Sequence, residues 1–81
     1  MSPRQLRQVV AQNIRALAKA RKIPLSHLAD RAGVSRTQLF DVLRLRKSTT
    51  TDWLAEVAAV LKVDPHVLLV RSVGQRAKAT V

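Results

Sequence analysis

An 81-residue chain is long enough for one small domain, whose apolar residues must share a single core. With 47% hydrophobic residues that core can be filled, so a folded domain rather than disorder is expected. Fifteen Lys and Arg against five Asp and Glu leave a net charge of +10, which favours a polyanionic partner, nucleic acid ahead of an anionic membrane surface, while the absence of Cys excludes disulfides and thiolate metal sites.

The N-terminus lacks the apolar stretch of a signal peptide, and no apolar run approaches the roughly 20 residues of a membrane span. A cytoplasmic protein with no membrane partner is the expectation, of bacterial or phage origin by the resemblance below. Ser2-Pro3-Arg4-Gln5 opens the first helix: Ser2 caps, Pro3 suits the first position and Gln5 completes a capping box. Leu6, Val9, Val10, Ile14 and Leu17 recur at three- and four-residue intervals and form its inner face. The helix should end near Arg21-Lys22, with Pro24 close behind.

A second helix spans Leu25 to Ala32 with Leu25, Leu28, Ala29 and Ala32 inward, and Gly33 breaks it. Ser35 caps a third helix, Arg36 to Arg44, whose inward positions are Leu39, Val42 and Leu43. The same pattern puts Phe40 towards solvent, where a bare ring is costly, which leaves it to pack on the first helix or the loop, to touch a thymine methyl or sugar, or to meet a partner chain. A polar, basic loop follows. Thr50 or Thr51 caps a fourth helix with Leu54, Val57, Ala58 and Leu61 inward and Trp53 at the core edge. Asp64-Pro65 restarts the chain as a fifth helix with Val67, Leu68 and either Val70 or Val73 inward. The expected architecture is all-α, with a domain over residues 1–73 and a flexible basic tail over 74–81.

Leu28 to Leu45 reads as two short helices around a glycine turn, a geometry that fits a DNA major groove. From Ile14 to Leu69 the chain resembles the phage-repressor/Cro-type helix-turn-helix family, also called XRE. The matching words are Ile14-Arg15-Ala16-Leu17, Leu28-Ala29-Asp30-Arg31-Ala32-Gly33-Val34-Ser35-Arg36, Leu54 through Val63, and the pair Leu68-Leu69. The resemblance implies a five-helix repressor-like domain whose third helix enters the major groove. It also implies pairs of domains on a two-fold symmetric operator.

Three positions depart from the family pattern. A frequent Arg–Glu pair between the first and third helices is replaced jointly by Ala18 and Leu43, which orphans no charge. The usual Gly after the recognition helix is Leu45, which opens the way to a different backbone there. A phosphate-contacting Gln at the start of the second helix is Leu25.

Carried over position by position, Arg36, Thr37, Gln38 and Asp41 are the candidate base-reading residues. Arg can bond guanine N7 and O6 at two points, Gln can do the same with adenine, and Asp can accept from cytosine or orient a neighbouring Arg. Ser35, Arg44, Arg46, Lys47, Ser48 and Thr49 suit phosphate oxygens, which position a protein without reading sequence. Val67, Val70 and Val73 are the candidate homodimer interface.

No cofactor or metal is expected, since His27 and His66 stand apart without a third ligand, and no catalytic pattern is present. The expected function is a DNA-binding transcription regulator, a repressor by default, acting on double-stranded DNA as a homodimer. The alternative is a protein-interaction module, such as an antitoxin or a polymerase-associated partner, which Phe40 on the outer face of the third helix would favour. A third reading, non-specific nucleic-acid binding, lacks the interleaved aromatics that stack on bases.

Overall fold

The computed structural model describes residues 1–71. The expectations for Val73 and for the tail over 74–81 fall outside the described residues. Four α-helices, α1 (Pro3–Ala20), α2 (Leu25–Ala32), α3 (Arg36–Leu43) and α4 (Thr51–Leu61), are followed by a 3₁₀ helix over Pro65–Leu69. Three of the four α-helices, α1, α3 and α4, start on a side-chain cap. Ser2 and Gln5 exchange both capping-box bonds, Ser2 N–H to Gln5 Oε1 at 2.7 Å and Gln5 N–H to Ser2 Oγ at 3.2 Å. Ser35 Oγ accepts from Gln38 N–H at 3.3 Å, and Thr50 Oγ1 from Trp53 N–H at 3.1 Å.

The four α-helices all end in the same way. A residue in the left-handed region follows each last turn, and two backbone bonds reach back to close it, as in Val34 N–H to Ala29 O (3.0 Å) with Gly33 N–H to Asp30 O (3.2 Å). Only α2 uses glycine, Gly33 at φ 71°. The other three positions are Lys22 (φ 56°), Leu45 (φ 64°) and Lys62 (φ 59°). Leu45 therefore takes the conformation for which the family uses Gly, and the departure expected in that loop is one of side chain rather than of φ. An L residue there costs about 1–2 kcal/mol, and glycine recovers part of it against its own entropy loss. Lys62→Gly, at an exposed site, is expected to stabilise the domain by about 0.5–1 kcal/mol in chemical denaturation. Leu45→Gly should gain nothing, because Leu45 packs against the core and its burial is lost with the strain.

One core joins all elements: Val10, Ile14 and Ala18 of α1, Leu28, Ala29 and Ala32 of α2, Leu39, Val42 and Leu43 of α3, Trp53, Leu54, Val57, Ala58 and Leu61 of α4, and Leu68. The jointly replaced Ala18 and Leu43 are both buried, so an apolar contact stands where the family often has an ion pair. Trp53 is buried as part of the core. Leu6 departs from expectation and is exposed, at the mouth of a groove shared with α3, α4 and the 3₁₀ helix.

The expected fifth α-helix is a five-residue 3₁₀ helix instead. Asn13, buried in α1, caps the C-terminal end of this short helix. Its Nδ2, with two N–H donors of which one is shared, lies within hydrogen-bond distance of the carbonyl oxygens of Val67 (3.2 Å), Leu68 (3.0 Å) and Val70 (2.7 Å). Acceptors that a continuing α-helix would offer to residues four positions ahead are used by a side chain from elsewhere. Val70 leaves the helix in an extended conformation and is exposed, not inward. A second cross-link closes the other end of the domain, where Arg21 Nε donates to the Leu61 carbonyl at the C-terminus of α4.

Candidate nucleic-acid interface

Leu28, Ala29, Leu39 and Val42 pack α2 and α3 together into the core, which fixes the pose of α3 and leaves its opposite face outward. That face carries Arg36 and Thr37, both exposed, with Gln38 and Asp41 half-buried beside them. Ser35, Arg44, Arg46, Lys47 and Ser48 are exposed, and Thr49 is half-buried. The candidate base-reading and phosphate-contacting residues therefore occupy one helix and the loop that follows it.

Phe40 does not join them. It is half-buried and packs against the core, a correction to the solvent-facing position that local periodicity suggested. The reason is the direction of the side chain: helical side chains lean towards the N-terminus, so Phe40 covers part of the core edge.

Arg36 is tied down. Its Nε donates to Asp30 Oδ1 at 3.0 Å and its Nη2 to Asp30 Oδ2 at 2.6 Å, a two-point pair bridging α2 and α3. Asp30 rather than Asp41 is thus the carboxylate that orients Arg36. Five N–H donors on a guanidinium leave the outer Nη edge free to bond elsewhere. The hydrogen bond from Arg36 holds the Asp30 carboxyl below its ordinary range and raises Arg36 in turn. Because the folded pKa of Asp30 lies below its unfolded value, the pair stabilises the fold at neutral pH. That contribution fades as pH falls through the depressed pKa. Both side chains are more than half exposed, so the effect on stability is small. In a carbon-detected NMR titration, Arg36→Met should raise the Asp30 midpoint towards an ordinary aspartate; an unchanged midpoint would mean the pair does not form in solution.

Val67 is half-buried and Val70 exposed, with Leu69 exposed between them, so the described part of the candidate dimer face is an apolar edge beside the 3₁₀ helix. His27 and His66 are both exposed, and no cluster of metal-ligating side chains occurs among the described residues. No helix among the described residues is long and apolar enough to cross a membrane. Residue patterning missed Asn13, Arg21 and Asp30, whose partners come from other elements of the fold.

Two short helices around a left-handed glycine, the second presenting an outward polar face, define a helix-turn-helix protein. No family model matches the chain. The HTH-type transcriptional regulator SinR of Bacillus subtilis is 36% identical over 62 residues, which cover 75% of this chain and 56% of that protein. The chain thus spans just over half the length of the curated relatives it matches. Among solved structures, the hypothetical transcription factor NHTF from Neisseria superposes with a TM-score of 0.81 at 29% identity, covering 98% of this chain and 91% of that one. An HTH_3 family transcriptional regulator from Vibrio cholerae shares the fold, with a TM-score of 0.77 at 24% identity over 83% of this chain and 38% of that one. By these comparisons the chain is similar to helix-turn-helix transcriptional regulators and shares their fold over nearly its whole length.

Proposed function

We propose that this protein is a sequence-specific DNA-binding transcription regulator whose α3 lies in the major groove and whose homodimer reads a two-fold symmetric operator. The observation that carries the reading is the outward face of α3, where Arg36, Thr37, Gln38 and Asp41 offer hydrogen-bonding groups and a loop of exposed cations follows immediately. The relatives named as transcription regulators and the net charge of +10 support it. Arg36 reads guanine with the guanidinium edge that Asp30 leaves free. Gln38 pairs with adenine, Thr37 meets a thymine methyl or a phosphate, and Asp41 accepts from cytosine. Ser35, Arg44, Arg46, Lys47, Ser48 and Thr49 hold the flanking phosphates.

Half-sites on successive turns lie about 34 Å apart. With extents of 35 × 29 × 20 Å, two copies on one face of the duplex lie within reach of each other over that interval. The apolar edge at Val67, Leu69 and Val70 suits that contact. Phe40, the residue that would favour an interaction module, is taken up by the core, and the DNA reading is the stronger for it.

Selection of bound sequences from random double-stranded DNA tests the proposal, with a two-fold symmetric motif as the expected outcome. No enrichment, or an asymmetric motif bound one to one, would overturn it. On the selected site Lys47→Ala should weaken binding to all sequences alike and lower the log–log salt slope by about 1.

A further inference from the structure

Beside α3 the fold encloses a groove of about 320 Å³, at the lower end of the range for small-molecule sites, about 300–1,000 Å³. Its walls are the apolar side chains of Leu6, Val10, Val42, Leu54 and Leu69, which come from α1, α3, α4 and the 3₁₀ helix. Leu6 and Leu69 are exposed at 37% and 38%, an open apolar surface at the mouth. The charge around these walls has one sign. Arg7 and Lys47 are the charged lining residues, with no carboxylate among them, and Ser48, Thr49 and Thr51 supply hydroxyls. Pro3 and Thr51, the first residues of α1 and α4, also line it.

Arg7 supplies an independent observation. Its Nε is shielded from solvent and has no hydrogen-bond partner among the described residues. Arg7 is half-buried and forms no ion pair among the described residues, so an anionic oxygen in the groove would give the accessible part of its guanidinium the charged partner it lacks, while Nε, closed to solvent, stays closed to that oxygen too.

We infer that the groove is a binding site for a small amphipathic organic acid, with its hydrocarbon body against Leu6, Val10, Leu54 and Leu69 and its carboxylate at Arg7 and Lys47. The chemistry excludes a neutral hydrocarbon as the preferred occupant, since it leaves Arg7 unpaired, and disfavours cations. Residues 72–81, with Arg76 and Lys78 and no acidic side chain, bring the wrong charge to this space, and the dimer contact proposed above uses only its rim at Leu69. Lys47, Ser48 and Thr49 belong both to this groove and to the loop assigned above to DNA phosphates, so the ligand and DNA compete for Lys47. That coupling rests on the DNA reading; the binding site does not.

Decanoate, titrated below its micelle-forming concentration into the full chain and followed by amide NMR, is the test. Saturable shifts confined to residues around Leu6, Arg7, Ser48, Thr49 and Leu69 are expected, with binding by decyltrimethylammonium at least about tenfold weaker. Arg7→Met, which keeps the side chain's apolar length, should weaken decanoate binding about tenfold or more, and the exposed Lys47→Ala by a smaller factor. Equal binding of the acid and the cation, shifts located elsewhere, or full affinity in folded Arg7→Met and in Lys47→Ala would overturn the assignment. So would decanoate binding that emerges only after residues 72–81 are removed, which would give the groove to the chain's own tail. If the acid binds as described but leaves DNA affinity unchanged, the groove stands and only the shared use of Lys47 fails.

Discussion

Replacing Asn13 by Ala is expected to destabilise the domain by about 2–4 kcal/mol, a large share of the 5–15 kcal/mol typical of small proteins. For a domain of this size each kcal/mol moves the melting temperature by about 4–8 °C, so a fall of roughly 10–25 °C is the expected calorimetric result. The physical cause is the set of carbonyls at Val67, Leu68 and Val70, which receive their donors from one amide group. Truncation removes the donors and leaves the acceptors, and it is the stranded buried acceptor that costs most. Asn13→Asp separates this account from simple packing. The carboxylate has nearly the same shape but turns an acceptor towards three acceptors, so it should be at least as damaging as Ala. A near-neutral Asn13→Asp would show that Asn13 merely fills space. Since the 3₁₀ helix is held to α1 through this amide, its amides should also lose hydrogen-exchange protection before the rest of the core does in Asn13→Ala.

Asn13 also marks how far local patterning reaches in this chain. The helix starts at Ser2, Ser35 and Thr50 were legible because a cap is a contact between residues three apart. Gly33 was legible because a left-handed residue after an apolar stripe has one common identity. Lys22, Leu45 and Lys62 adopt that same conformation without advertising it, and their helices end where the apolar stripe ends. Asn13 did carry a signal, since it shares the spacing of Val10, Ile14 and Leu17 and so lies on the inner face of α1. Its polarity argued the other way, and its partners lie more than fifty positions ahead, out of reach of any periodic rule. The same distance in sequence hid Arg21, which meets Leu61 across the fold. In the candidate interface the residues of α3 and its loop were legible from position within the motif. The Asp30 contact that fixes Arg36 was not, because a six-residue separation across a turn belongs to no helical spacing. Phe40 failed for a related reason: periodicity assigns a face to Cα, whereas packing is decided by where a long side chain ends.

Among the base-reading candidates, Gln38→Ala should have the largest effect on sequence discrimination. Arg36 spends part of its fork on Asp30, whereas no intramolecular bond engages the Gln38 side chain among the described residues. A two-point contact between Gln and adenine is worth about 1–3 kcal/mol of base discrimination. A symmetric dimer makes that contact once per half-site, so the expected loss is about 2–6 kcal/mol, or between about 30-fold and 10⁴-fold in affinity for the preferred operator. Gln38 donates only its backbone N–H to the Ser35 cap, so Ala keeps the cap and, as a strong helix former, keeps α3. Melting temperature should therefore hold while discrimination falls. The loss should be confined to one base position in each half-site, and binding to unrelated duplexes, which rests on phosphates, should change little. Competition binding against operators altered one base pair at a time reads this directly. Uniform weakening over all sequences would instead make Gln38 a phosphate contact. Unchanged affinity would remove it from the interface and move the burden of discrimination to Arg36 and Thr37, whose replacement would then have to produce the larger loss.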